Sequence, residues 1–138
     1  MNNKVYKNIL SSFLMGEYNL AEVTLKLALL SENYIPNENH DFDFIMLEEI
    51  SGAGYISGGQ ELANVIIESD NELVADHVQW SDADFAAKFA FLYIAPDIPV
   101  AVFDFGENRV PDGSDIFRVL WGPDAGVNSG VVLYLRQK

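Results

Sequence analysis

Cysteine is absent from the chain, which removes disulfides, thiolate metal sites and cysteine nucleophiles together. Basic residues are scarce, with eight Lys and Arg against 21 Asp and Glu and a formal net charge of −13. Such a field repels phosphate backbones and anionic lipid surfaces. The basic side chains Lys4, Lys7, Lys26, Lys88, Arg109, Arg118, Arg136 and Lys138 are scattered, so no local patch restores nucleic-acid binding. Long apolar runs are also missing: none approaches the roughly 20 residues of a membrane span. The stretch from Met1 to Leu10 is too polar and broken for the apolar core of a signal peptide, so synthesis in a cytoplasm is expected. Imidazole chemistry is limited to His40 and His77.

What the chain does have is core material. Hydrophobic residues make up 49% of its 138 residues, with nine Phe and six Tyr, enough to fill one core without metal or disulfide support. One domain over 1–138 is expected, with 1–16 as a helical appendage. Val5, Ile9, Leu10, Phe13 and Leu14 recur at three-to-four spacing and predict an amphipathic helix over 4–15, ended near Gly16. Residues 21–30 alternate, with Val23, Leu25, Leu27 and Leu29 on one side and Thr24 and Lys26 on the other, as in a partly buried strand. Residues 31–41 read as an exposed connection, and 42–50 as strand or short helix. Residues 64–68 and 73–80 flank Ser69-Asp70-Asn71-Glu72 as hairpin arms. The apolar run at 86–94 and the extended pattern at 98–105 predict a central hairpin across Ala95-Pro96-Asp97. Pro111-Asp112-Gly113 marks a turn, and 116–121 and 131–135 are the last strands. Six to eight short strands without alternating helices favour an antiparallel β-sandwich or small barrel.

Four glycines surround one tyrosine in Ser51-Gly52-Ala53-Gly54-Tyr55-Ile56-Ser57-Gly58-Gly59-Gln60-Glu61-Leu62-Ala63, a spacing that fixes a local backbone shape. A dinucleotide fingerprint would need its third glycine elsewhere and a surrounding βαβ unit. Ser57 follows Tyr55-Ile56 and so fails the spacing of a nucleophile elbow. His40 near Asp41 and Asp43 invites a metal or pH-sensing reading, but a solvated loop explains it better. Asp41-x-Asp43 and Asp82-x-Asp84 have the alternate spacing of calcium loops without the glycine and distal glutamate of an EF-hand. Trp80, Trp121 and Tyr55 could form a sugar platform if exposed, although aromatics of this kind more often build a core. The residues therefore predict no catalytic group, no metal and no cofactor.

Taken in order, several motifs resemble a family of small virion proteins of tailed bacteriophages. They are Asn19-Leu20 before residues 23–30, Tyr34-Ile35-Pro36, His40-Asp41-Phe42, the glycine-rich element, Ala75-Asp76-His77-Val78-Gln79-Trp80, Phe103-Asp104-Phe105-Gly106, and Val119-Leu120-Trp121 before Val131-Val132-Leu133. Gly-x-Gly-Tyr-x-x-Gly-Gly-Gln is the specific part. The link at 95–97 is shorter, and that at 122–130 longer, than the family pattern. The resemblance implies an all-β, non-enzymatic structural protein, first a capsid decoration or cement protein on the head exterior. Its expected partners are the major capsid protein and copies of itself, with a homotrimer among the arrangements allowed. A tail, baseplate or fibre component, or a carbohydrate-binding module using Trp80 or Tyr55, is the alternative. Exposed or specially shaped segments carry function more often than strands, which selects Val5, Ile9, Phe13, Tyr34, His40 and Tyr55 as interface candidates.

Overall fold

The computed structural model describes residues 3–7, 9, 12, 15–18, 22–68, 72–121 and 129–134, and their fold is antiparallel and mainly β. The first strands are β1 (Lys4–Val5), β2 (Leu25–Leu30), β3 (Gln60–Glu61), β4 (Ile66–Glu68) and β5 (Glu72–Asp76). They are followed by β6 (Val78–Trp80), β7 (Ala87–Ile94), β8 (Ile98–Arg109), β9 (Phe117–Val119) and β10 (Ser129–Tyr134). A five-residue helix, α1 (Phe42–Met46), lies between β2 and β3. Both predicted hairpins form, β4 with β5 and β7 with β8.

The principal sheet has the order β1-β8-β7-β2-β3. A second layer is split: β10-β5-β4 forms one small sheet and β6-β9 another. The split falls at His77, where one nearly continuous strand leaves β4 and β10 and takes β9 as its partner. The sheets are not closed into a barrel, so the sandwich-like arrangement is the one adopted.

Strand β7 shows how the sequence positions the layers. Successive side chains point to opposite faces, so Ala90, Leu92 and Ile94 enter one cluster while Phe89, Phe91 and Tyr93 enter another. The first cluster packs against Leu73 and Ala75 of β5, Trp80 of β6, and Phe117 and Val119 of β9. On the other face, Tyr6, Tyr34 and Ile45 come from irregular chain and α1 to cover the β7 aromatics. The central sheet is therefore buried on both sides. Strand β2 departs here from its expected half-buried pattern: Ala28 and Leu30 are as fully enclosed as Leu27 and Leu29, because the 31–50 segment folds back across their face.

The N-terminal segment also differs from its expectation. Lys4 and Val5 are not helical but pair with Val102 and Ala101 on the open edge of β8, and the Tyr6 N–H continues the ladder to the Val100 carbonyl at 2.9 Å. A sheet edge with unmet hydrogen-bonding groups overrides local helical periodicity. Ile9 and Ser12 are helical, whereas residues 8, 10, 11, 13 and 14 of the predicted helix lie outside the described residues. Residues 4–5 thus belong to the principal sheet and not to an appendage. Among the described residues no helix is long and apolar enough to cross a membrane.

Candidate functional site

The face covered by irregular chain brings together most of the described candidate residues. Ser31 Oγ donates to Glu48 Oε2 at 2.9 Å, and the Ser31 N–H donates to the Glu48 carbonyl at 2.8 Å. These bonds close the 31–48 segment into a clasp. Within it Asp41 caps α1, its Oδ1 accepting from the Phe44 N–H at 2.9 Å, the usual role of a short polar side chain at a helix start. A helix this short is not stable alone; Ile45, fully buried beneath it, anchors it to the sheet.

Three rings from the covering chain meet three rings of β7. Tyr34 stands edge-on to Phe89 at 5.7 Å, Tyr6 edge-on to Phe91 at 5.7 Å, and Phe42 edge-on to Tyr93 at 5.0 Å. Such geometry sets the positive edge of one ring against the negative face of another. The hydroxyls of Tyr6 and Tyr34 are hydrogen-bonded at 2.9 Å, and Tyr34 Oη is bonded to His40 Nδ1 at 2.8 Å. This chain pins the residue after β1 to both ends of the loop. Burial raises the phenol pKa of both tyrosines, and the bond between them raises that of Tyr6 further while lowering that of Tyr34.

His40 stands between two cavities. One, of about 500 Å³, is lined by Tyr6, Lys7, Ile9, Glu38 and Asp41 among others. The other, of about 330 Å³, is lined by Tyr34, Ile35, Asn37, Phe44 and Glu48. The His40 ring lies 4.3 Å from that of Phe44. In the wall of the second cavity Ile35 is 77% exposed and Phe44 51%, and Leu47, outside the wall, is 75% exposed. Leu47 caps the C-terminal end of α1 three residues after Phe44, so both stand on its outer side while Ile45 takes the inner side.

The glycine-rich element plays a different part. Strand β3 pairs with β2 only at Lys26 and Leu27, leaving the rest of that edge open. The element and its flank close it. The Ile50 N–H donates to the Leu29 carbonyl at 3.1 Å, and the Leu29 N–H donates to Tyr55 Oη at 3.1 Å. Tyr55 in turn donates to Glu49 Oε2 at 2.5 Å; Glu49 also accepts from the Gly58 N–H at 2.6 Å and from Ser57 Oγ at 3.2 Å. Tyr93 Oη donates to the Gly58 carbonyl at 2.6 Å. Burial raises the Tyr55 phenol pKa strongly, and the Glu49 carboxylate beside it raises it further.

Two glycines allow the element's close contacts, Gly59 with β2 and Gly54 with residues 81–83. Gly59 has φ +81°, and a Cβ there would overlap the Leu27 carbonyl. Gly54 has φ +88°, and a Cβ would lie 2.7 Å from the Asp82 carbonyl oxygen. The element is a buttress on the sheet edge, and the polar groups of Tyr55, Ser57 and Gly58 are engaged internally.

The sequence candidates separate accordingly. Tyr34, His40 and Ile9 gather at the paired cavities, although Ile9 and Tyr34 are buried rather than presented. Val5 is exposed on β1 and Phe13 lies outside the described residues. Tyr55 is turned inward, against Trp80 and Phe85. The residues not singled out were Tyr6, Glu49, Ile35, Phe44 and Leu47; the unbroken Phe44-Ile45-Met46-Leu47 run was the available signal for the last two, since one helical turn must expose part of it.

The remaining candidates are structural. His77 Nδ1 accepts from the Trp121 N–H at 2.9 Å, fixing the point where the second layer splits. Trp80 and Trp121 are only 3% and 4% exposed, so neither offers a platform for a sugar ring. Among the described residues no group of three or more His, Asp or Glu is placed to hold a metal ion. No protein-family model, curated protein or solved structure matches the chain.

Proposed function

We propose that the chain is a structural protein of a bacteriophage particle, a capsid decoration or cement protein that bridges and stabilises major capsid subunits from the head exterior. The observation that carries the reading is the exposed apolar group Ile35, Phe44 and Leu47 on a clasp fastened to a doubly buried sheet. Large exposed apolar side chains grouped at a rimmed cavity mark an interaction surface. The glycine-rich element, which carries the family resemblance, supports the same reading by serving as architecture. The proposed action is non-enzymatic: a protein that binds only the assembled lattice stabilises it by mass action. The major capsid protein is the partner, and copies of the chain at a symmetric position supply the multiplicity. A net charge of −13 suits a place away from packaged DNA.

The test is the copy number in purified virions, by quantitative mass spectrometry against the major capsid protein. Copies in proportion to the capsid lattice are expected. A handful per particle moves the protein to the tail, baseplate or fibres, and absence from particles overturns the virion reading.

A further inference from the structure

We infer that the outer side of the 31–48 clasp docks a basic segment of a partner protein, one that presents an apolar side chain flanked by lysine or arginine. The inference deepens the proposed function and rests on it for the partner's setting, but not for the chemistry of the surface.

Two observations coincide at this place. The first is shape and polarity: a cavity of about 330 Å³ has Ile35 and Phe44 in its wall, and Leu47 stands exposed one turn beyond Phe44. An apolar side chain inserted there would remove these groups from water, the usual source of affinity at the centre of an interface. The second is charge. Residues 27–87 contain no lysine or arginine. Within the clasp Glu32, Glu38, Asp41 and Asp43 are all exposed, Glu38 and Asp41 in the wall of the neighbouring cavity, and Glu48 lies in the wall of this one. The wall of this cavity contains no lysine or arginine; Lys7 lies in the wall of the neighbouring one, and Lys88 is held over the Phe89 ring beneath Tyr34. A segment rich in exposed carboxylates and without a basic residue rejects acidic partners and steers basic ones. The same field disfavours a second copy of this acidic chain, since clasp against clasp would face carboxylate with carboxylate.

The test uses the full-length protein, isotope-labelled for NMR, and a pair of synthetic amphipathic peptides. One carries leucine and phenylalanine on one face flanked by lysine and arginine; the other has glutamate at every basic position. The basic peptide is expected to shift amide signals of residues 32–48, with affinity falling as salt rises. The acidic peptide is expected to leave them unmoved. Leu47→Asp and Phe44→Ala should each weaken binding by at least about tenfold, while Ile66→Asp, at an exposed position on β4, should leave it intact. Equal binding of both peptides, shifts scattered over the acidic surface, or no binding overturns the inference. So does a dimer in sedimentation that Leu47→Asp dissolves, which assigns the face to a second copy. Copy number in virions is independent of all these outcomes, so binding with absence from particles sinks the virion reading alone.

Discussion

The two faces of the principal sheet are buried to the same degree by different means. One is covered by strands, whose backbone groups are satisfied in ladders between β4, β5 and β10 and between β6 and β9. The other is covered by a clasp held by isolated backbone bonds, such as the Ser31 N–H to the Glu48 carbonyl and the Lys7 N–H to the Glu38 carbonyl, and by local side chains: Asp41 for the helix start, Ser31 for the Asn33 N–H, and Asn37 for the Asn39 N–H. Ladders are cooperative over many residues, whereas isolated bonds do not reinforce one another in this way. The lesson is that full burial does not imply equal resistance to opening. The clasp is therefore expected to open before the sandwich does.

The edge that joins the two faces should be the most sensitive position. Gly59→Ala places a methyl group into the Leu27 carbonyl at a φ of +81°. Left-handed backbone alone costs a non-glycine residue about 1–3 kcal/mol, and the overlap with backbone adds to that. The variant is expected to be largely unfolded or insoluble, and a soluble variant with an unchanged urea midpoint would show that the buttress can detach without harm.

Large-to-small substitutions then compare the faces directly. Leu92, on the strand-covered face, and Ile45, beneath the clasp, are both fully enclosed. Truncation of such residues to alanine costs about 2–5 kcal/mol, less where the surroundings can settle inward. Leu92→Ala is expected near the upper end and Ile45→Ala near the lower, because a five-residue helix can move toward the sheet. Hydrogen exchange should agree, with clasp amides exchanging well before those of β7 and β8. Equal costs and equal protection would mean that the two covers unfold as one unit.

How much of this was legible in the sequence follows from the range of the forces involved. Strands β7 and β8 were visible because alternation and an apolar run bounded by Ala95-Pro96-Asp97 are local signals. The second buried face of β2 was not, since Thr24 and Lys26 suggested solvent and the clasp that covers Ala28 and Leu30 arrives from residues 34–45. The start of the chain is not legible for the same reason: the β8 edge that captures Lys4 and Val5 lies almost a hundred positions away. Tyr34 and His40 could be chosen as members of a shaped loop, but their link to Tyr6 spans 28 residues and no spacing rule anticipates it. Glu49 was hidden among many carboxylates; only the fold shows that it receives Tyr55, Ser57 and Gly58 together.

A smaller substitution separates packing from hydrogen bonding in the clasp. Tyr34→Phe keeps the edge-on ring against Phe89 but removes the hydroxyl between Tyr6 and His40. Loss of such bonds costs about 0.5–1.5 kcal/mol each when water can substitute and up to about 3 when a buried group is left unmet. The urea midpoint should fall modestly, and early exchange of the clasp should account for most of the change.

Alkaline pH perturbs the two faces unequally. The phenol pKa values of Tyr6, Tyr34, Tyr55 and Tyr93 are all raised, first by burial, while an unfolded phenol titrates near about 10. Raised folded values mean that the stabilisation is fully present below the unfolded pKa. It is lost as pH climbs from there toward the folded values, because the unfolded chain sheds protons that the folded chain retains. Each such tyrosine contributes a slope of up to about 1.4 kcal/mol per pH unit. Tyr6, Tyr34 and Tyr93 belong to the cluster under the clasp, and Tyr55 flanks the other. The clasp should therefore be the first region to lose protection above about pH 10, with tyrosinate absorbance rising together with its opening. Tyr6→Phe removes one titrating phenol and should shallow that decline even where it lowers stability at neutral pH. Tyrosinate forming near its ordinary pH while the clasp amides stay protected would show that these hydroxyls are reached by solvent in the closed state, and the difference between the faces would then rest on packing alone.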